Sequence, residues 1–136
     1  SVYAQGTIGR GANKWEKHDI CDHIVATVTF ENGAVLCAGT GHLALDGFRT
    51  GVDFLLDEMV VTHDNSELIV KTPGREERIR NNNNPNEEED RAFLDADRTG
   101  DRDAVYCSYT DALLTHHITM AINESVESGQ VIELPY

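Results

Sequence analysis

Six histidines and three cysteines are the side chains in this 136-residue chain with the most chemistry to offer. The histidines are His18, His23, His42, His63, His116 and His117. A histidine that moves a proton needs a carboxylate or a nucleophile beside it in a cleft. His18-Asp19, Asp22-His23 and His63-Asp64 are adjacent in sequence, but adjacent residues on a strand point to opposite faces. His116 and His117 fall about 100° apart on a helix and cannot form the i, i+4 pair that grips a metal. No GxSxG elbow is present and chain order gives no Ser-His-Asp set, so a hydrolase is not supported. Cys21, Cys37 and Cys107 are odd in number and lack CxxC spacing. Buried free thiols in a reducing compartment are expected, with neither disulfides nor zinc. Asp95, Asp97, Asp101 and Asp103 lack the spacing, the central glycine and the closing glutamate of a calcium loop. Gly39 and Gly41 form a GxG, but no third glycine opens a helix after it, so no dinucleotide fingerprint is supported. The chain is therefore expected to hold no catalytic residue, no metal and no cofactor of its own.

These residues hang on a simple pattern of elements. Ser108 to Leu134 reads as a long helix and the strand that it feeds. Ser108 or Thr110 caps its start. Leu114, Ile118, Ala121, Ile122 and Ser125 then fall on one helical face, and Gly129 ends the helix in a left-handed turn. Val131, Ile132 and Leu134 follow as a short strand. Upstream, Val2 to Ile8 reads as a strand, and GRGANKWEKHD as a polar loop. Trp15 in that loop either lines a ligand site or folds back on the edge of the core. Asp22 to Phe30 is a β-branched strand. Glu31-Asn32-Gly33 turns it back into Ala34 to Thr40, and Asn-Gly predicts a type I′ turn. Val52–Leu56, Met59–Thr62, Glu67–Thr72 and Glu76–Arg80 read as a meander of hairpins, with turns at His63–Ser66 and at Pro73-Gly74. Asn81 to Asn84 is an exposed loop, and an acidic helix follows, ending at Arg98-Thr99-Gly100-Asp101. The expected fold is α+β: an open, mostly antiparallel sheet of about five to seven strands, with two helices packed on one face. The far face, with Val25, Thr27 and Thr29, is moderately apolar and suits self-association.

Composition narrows the partners. A net charge of −13 repels phosphate backbones and anionic lipid, so neither nucleic acid nor membrane is an expected partner. No run of about 18 apolar residues occurs, and SVYAQGT is not a secretory signal. A cytoplasmic protein is expected. The opening on strand-like sequence without Met suggests a fragment or a processed chain.

The order of these elements resembles the C-terminal domain of the glucose–fructose oxidoreductase and inositol dehydrogenase family (Gfo/Idh/MocA). The residues that carry the likeness are Ser1-Val2-Tyr3-Ala4, Asp22 leading into Ala26 through Ala34, and Phe93 through Arg98-Thr99-Gly100-Asp101. To these are added Asp111-Ala112, Ala121-Ile122, Ser125, Ser128-Gly129 and Val131. The likeness departs at Leu56-Asp57-Glu58-Met59, where the family often has a Gly-x-x-Gly turn. The resemblance implies a single substrate-binding and oligomerisation domain over residues 1–136, with the Rossmann domain that binds NAD or NADP absent from the chain. It implies a parent reaction that moves hydride between the nicotinamide and a sugar, cyclitol or related polyol. It also implies a homo-oligomer built through the open sheet face. No Lys-Pro pair occurs, so the family's catalytic lysine has no counterpart here, and this chain alone is expected to be inactive. Under that reading the polar connections at strand ends supply substrate contacts: Trp15 and His18 in one, His42 and Arg49 in the other. The alternative is a stand-alone sheet module that dimerises or binds a small ligand without catalysis.

Overall fold

The structure, a computed structural model, describes residues 1–7, 20–41, 49–64 and 67–134. The fold is α+β. Seven strands run β1 (Val2–Thr7), β2 (His23–Thr29), β3 (Val35–Gly41), β4 (Gly51–Leu56), β5 (Met59–Asp64), β6 (Glu67–Thr72) and β7 (Arg75–Arg80). Two α-helices follow, α1 (Pro85–Thr99) and α2 (Tyr109–Ser128), with a 3-10 turn at Arg102–Ala104 between them. The strands form two open antiparallel sheets, β1-β2-β3 and β4-β5-β6-β7, rather than one continuous sheet. Tight turns pass register from strand to strand. Residues 42–50, between β3 and β4, are no such turn. Two compact units result: Ser1–Leu45 with Cys107–Tyr136, and Asp46–Tyr106.

In the first unit, pairing sets Val2 against Val28 and Ala4 against Ala26, and then Val28 against Leu36. Cross-strand partners share a face, so these side chains all meet the helix. Val2, Val28 and Ala121 form the buried centre, with Ile118, Ile122, Ile132 and Leu134 around it. The helical stripe read from spacing is thus the packed face, except at its N-terminal end, where Leu114 is 45% exposed. The reason is length. The 20 residues of α2 extend about 30 Å, whereas strands of six or seven residues extend about 20 Å. The first turns of the helix overrun the sheet.

Ser108 is the N-cap; its Oγ accepts from the Asp111 N–H at 3.2 Å. Gly129 ends α2 with φ 69°. The stretch after it forms one bridge, Val2 to Ile132, and not the expected strand. Ser125 explains this. Its Oγ is fully buried, accepts from the Ala4 N–H at 2.9 Å and donates to the Gln130 carbonyl at 2.6 Å. The serine takes the edge position that a longer strand would need.

The β2–β3 turn also differs from expectation. Gly33 has φ 84° while Asn32 stays outside the left-handed region. The Gly33 N–H bonds to the Phe30 carbonyl, and Phe30 N–H to the Ala34 carbonyl. Asn32 accepts from the Ala34 N–H through its own side chain at 3.0 Å. This is a three-residue loop with the glycine as the left-handed residue, the next commonest hairpin solution after the two-residue turns.

In the second unit the strands form a meander. β5 continues through His63 and Asp64, which the sequence placed in a turn; Asp64 pairs with Glu67, so residues 65–66 close the hairpin. Pairing sorts the side chains by face. Val52, Phe54, Val61, Val70, Leu68 and Ile79 lie on one side; Asp53, Thr62, Asp64, Glu67, Arg78 and Arg80 lie on the other. α1 starts at Asn84, whose side chain accepts from the Asn86 N–H, and ends at Gly100 with φ 75°. It packs against the 3-10 turn, and Phe93 and Leu94 are each 64% exposed.

Candidate functional site

Of the four residues expected to touch substrate, Trp15, His18 and His42 lie outside the described residues. Arg49 is described, just before β4, and its neighbours define the candidate site. Its two terminal nitrogens form a fork on Asp53, Nη1 to Oδ2 at 2.8 Å and Nη2 to Oδ1 at 3.0 Å. Its Nε lies 3.5 Å from Asp64 Oδ2. Thr62 Oγ1 donates to Asp53 Oδ1 at 2.7 Å. The register Asp53–Thr62 and Gly51–Asp64 puts these partners side by side.

Gly51 leaves room for this close approach. A Cβ there would fall 2.3 Å from the His63 carbonyl oxygen and 3.3 Å from Arg49 Nη2. No larger residue fits without moving backbone.

The electrostatics follow from the hydrogen bonds. Donation by Arg49, and then by Thr62, holds the Asp53 carboxyl below its ordinary value. The Arg49 guanidinium is raised, chiefly by Asp53. A guanidinium has five N–H donors; two are used on Asp53 and a third points at Asp64. The remaining two, with the free lone pairs of the carboxylates, can meet hydroxyl groups. This set recognises polar ligands; it contains no acid–base pair tuned toward neutrality. The same face continues into ion pairs from Glu67 to Arg78 and Arg80, each at 3.0 Å, and from Arg78 to Glu76 at 2.7 Å.

The other chemistry-bearing residues are dispersed. His63 lies on the face opposite Asp64, as strand alternation requires. Among the described residues, no group of three or more metal-ligating side chains comes together. The thiols correct an expectation: Cys37 and Cys107 are exposed and Cys21 half-buried. Cys37 pairs with Thr27 on the sheet face away from α2. Cys107 Sγ donates to Asp111 Oδ2 at 3.5 Å, and that hydrogen bond pushes its thiol pKa up.

Gly39 and Gly41 sit within β3 rather than at a strand-to-helix turn. A Cβ at Gly41 would lie 2.6 Å from His23 Nδ1, so this glycine answers crowding between strands. The pair does not form the phosphate cradle of a dinucleotide site, which needs a helix N-terminus behind it. Asp53, Thr62 and Asp64 went unnoticed as partners of Arg49 in the sequence. The signal was the two-residue turn Asp57-Glu58, which fixes the register of β4 on β5.

Among the described residues, no helix is long and apolar enough to cross a membrane. No family model matches the chain, and no curated protein does. Among solved structures, the chain is similar to one from Thermotoga maritima described as a "putative oxidoreductase". The TM-score is 0.79 at 16% sequence identity, over 96% of this chain and 39% of that one. At that identity the likeness is one of fold. The chain spans about two fifths of the length of the structure it matches, so its architecture recurs as one part of a longer protein.

Proposed function

We propose that this chain is the substrate-binding and oligomerisation part of an NAD(P)-dependent oxidoreductase of the Gfo/Idh/MocA type, acting in the cytoplasm on a sugar, cyclitol or related polyol. The observation that carries the reading is the fold likeness, nearly complete over this chain, to part of a longer protein described as an oxidoreductase. The motifs from Asp22 to Ala34 and from Phe93 to Asp101 point the same way.

In this reading NAD or NADP is held by another part of the protein, and this chain alone neither binds nicotinamide nor turns over. Arg49, oriented by Asp53 and Asp64, contributes to substrate contact together with Trp15, His18 and His42. A guanidinium donating to hydroxyl oxygens, flanked by carboxylates that accept from hydroxyls, is suited to vicinal diols. The oligomer forms through open sheet faces. Apolar side chains stand exposed on both sheets, Val25 and Val35 in the first and Phe54 and Leu56 in the second.

The test is the reading frame that encodes this chain, followed in both directions. A Gly-rich βα unit and a Lys-Pro pair upstream of Ser1 are expected. The full-length protein is expected to oxidise some member of a polyol panel with reduction of NAD or NADP. Arg49→Ala is expected to raise KM more than it lowers kcat. Tight binding of NADH or NADPH to the isolated chain would overturn the division of labour. An upstream frame without a nucleotide-binding unit would return the chain to the stand-alone module.

A further inference from the structure

The overrun of α2 past the first sheet leaves a hollow. A cavity of about 700 Å³ opens there, lined by Val28, Phe30, Leu114, Ile118 and Leu134, with Glu31 and Glu133 also at its wall. The volume lies in the range of small-molecule sites, roughly 300–1,000 Å³. Val28 forms a fully buried floor at 1% exposure, while Phe30 and Leu114 stand 40% and 45% exposed at the sides. Every charged residue that lines the cavity is an acid: Glu31 from the β2–β3 turn and Glu133 from the segment after α2. No lysine, arginine or histidine is among its lining residues.

We propose that this cavity binds a small organic cation with an apolar body. The apolar walls take a ring or an alkyl chain out of water, and the two glutamates face its positive group. The net charge of −13 over the whole chain favours the approach of a cation and opposes that of an anion. The cavity shares no residue with the Arg49 set.

The test uses phenethylammonium, phenethyl alcohol and hydrocinnamate, which share a body and differ in charge. Each is titrated into the 136-residue chain while the methyl NMR signals of Leu114, Ile118 and Leu134 are followed. Phenethylammonium is expected to give saturable shifts at these methyls, the alcohol weaker ones, and hydrocinnamate none. Glu31→Gln and Glu133→Gln remove one charge each from exposed side chains, so the fold is retained. Each is expected to weaken phenethylammonium by about two- to five-fold, the range of one exposed ion pair, without weakening the alcohol. Equal binding of cation and alcohol overturns the proposal, as does an absence of shifts at these methyls. Shifts of the same methyls on concentrating the protein without ligand would assign the groove to a second copy and equally overturn it.

Discussion

Arg49 is a residue whose partners define its use. With Asp53 and Asp64 around it, the guanidinium is fixed in direction, and a fixed fork costs less entropy on meeting a ligand than a free side chain would. The same bonds give the sheet an acid limit. Asp53 is held below the ordinary 3.8 by Arg49 first and Thr62 second. Glu76 is held below 4.5, chiefly by Arg78. A carboxylate with a lower pKa folded than unfolded adds stability above its unfolded value, and that stability is lost as pH falls through the folded one. Stability set by these two groups is therefore level above about pH 4.5 and declines below it. Urea midpoints measured across this range should show that decline, and Asp53→Asn should flatten it. An unchanged profile in Asp53→Asn would remove the Arg49 fork as a source of the dependence.

At the scale of elements, two positions decide how neighbours join. Ser125 ties α2, β1 and the segment after α2 together through two short hydrogen bonds from a fully buried hydroxyl. Ser125→Ala leaves the Ala4 N–H and the Gln130 carbonyl without that partner. The expected cost is about 1–3 kcal/mol, read as a lower urea midpoint with the denaturant slope unchanged. Glu58 sits in the β4–β5 turn at φ 51°, a region that L-residues enter at a cost of about 1–2 kcal/mol. Glu58→Gly relieves that cost and restores the glycine that the family resemblance places there. Its expected gain is about 1 kcal/mol after the extra freedom of glycine in the unfolded chain is counted. A loss of stability in Glu58→Gly would mean that the side chain is tied to the sheet by more than its turn.

At the scale of the whole molecule, the four-stranded sheet is the unusual part. One face carries the ion pairs; the other carries Val52, Phe54, Val61, Leu68, Val70 and Ile79. Phe54 is 51% exposed and Leu56 52%. An apolar face of this kind marks a contact surface. If copies of the chain meet there, sedimentation should give a dimer or larger species whose stability is nearly independent of salt. Phe54→Glu should return it to monomer without unfolding it, since the side chain is half in water already. Association that weakens steeply with salt would point instead to the charged face.

The sequence by itself determined the elements and their ends. The 3.6-residue stripe from Ile118 to Ser125, the caps at Ser108 and Gly129, the β-branched run before Asn32-Gly33 and the Pro73-Gly74 turn are local preferences, and local preferences are written in adjacent residues. It marked Arg49 as a polar residue at a strand end, but not its partners. Those depend on register, and register depends on which turn closes each hairpin. Only tertiary structure decided that the strands divide into two sheets, because the connection over 42–50 carries no turn chemistry that would pass a register across it. Only tertiary structure replaced the last strand by a single bridge, because the competing hydrogen bond comes from Ser125, 121 residues away from Ala4. The hollow under Leu114 has the same origin: a helix and a sheet of unequal length leave a gap that neither element records in its own residues.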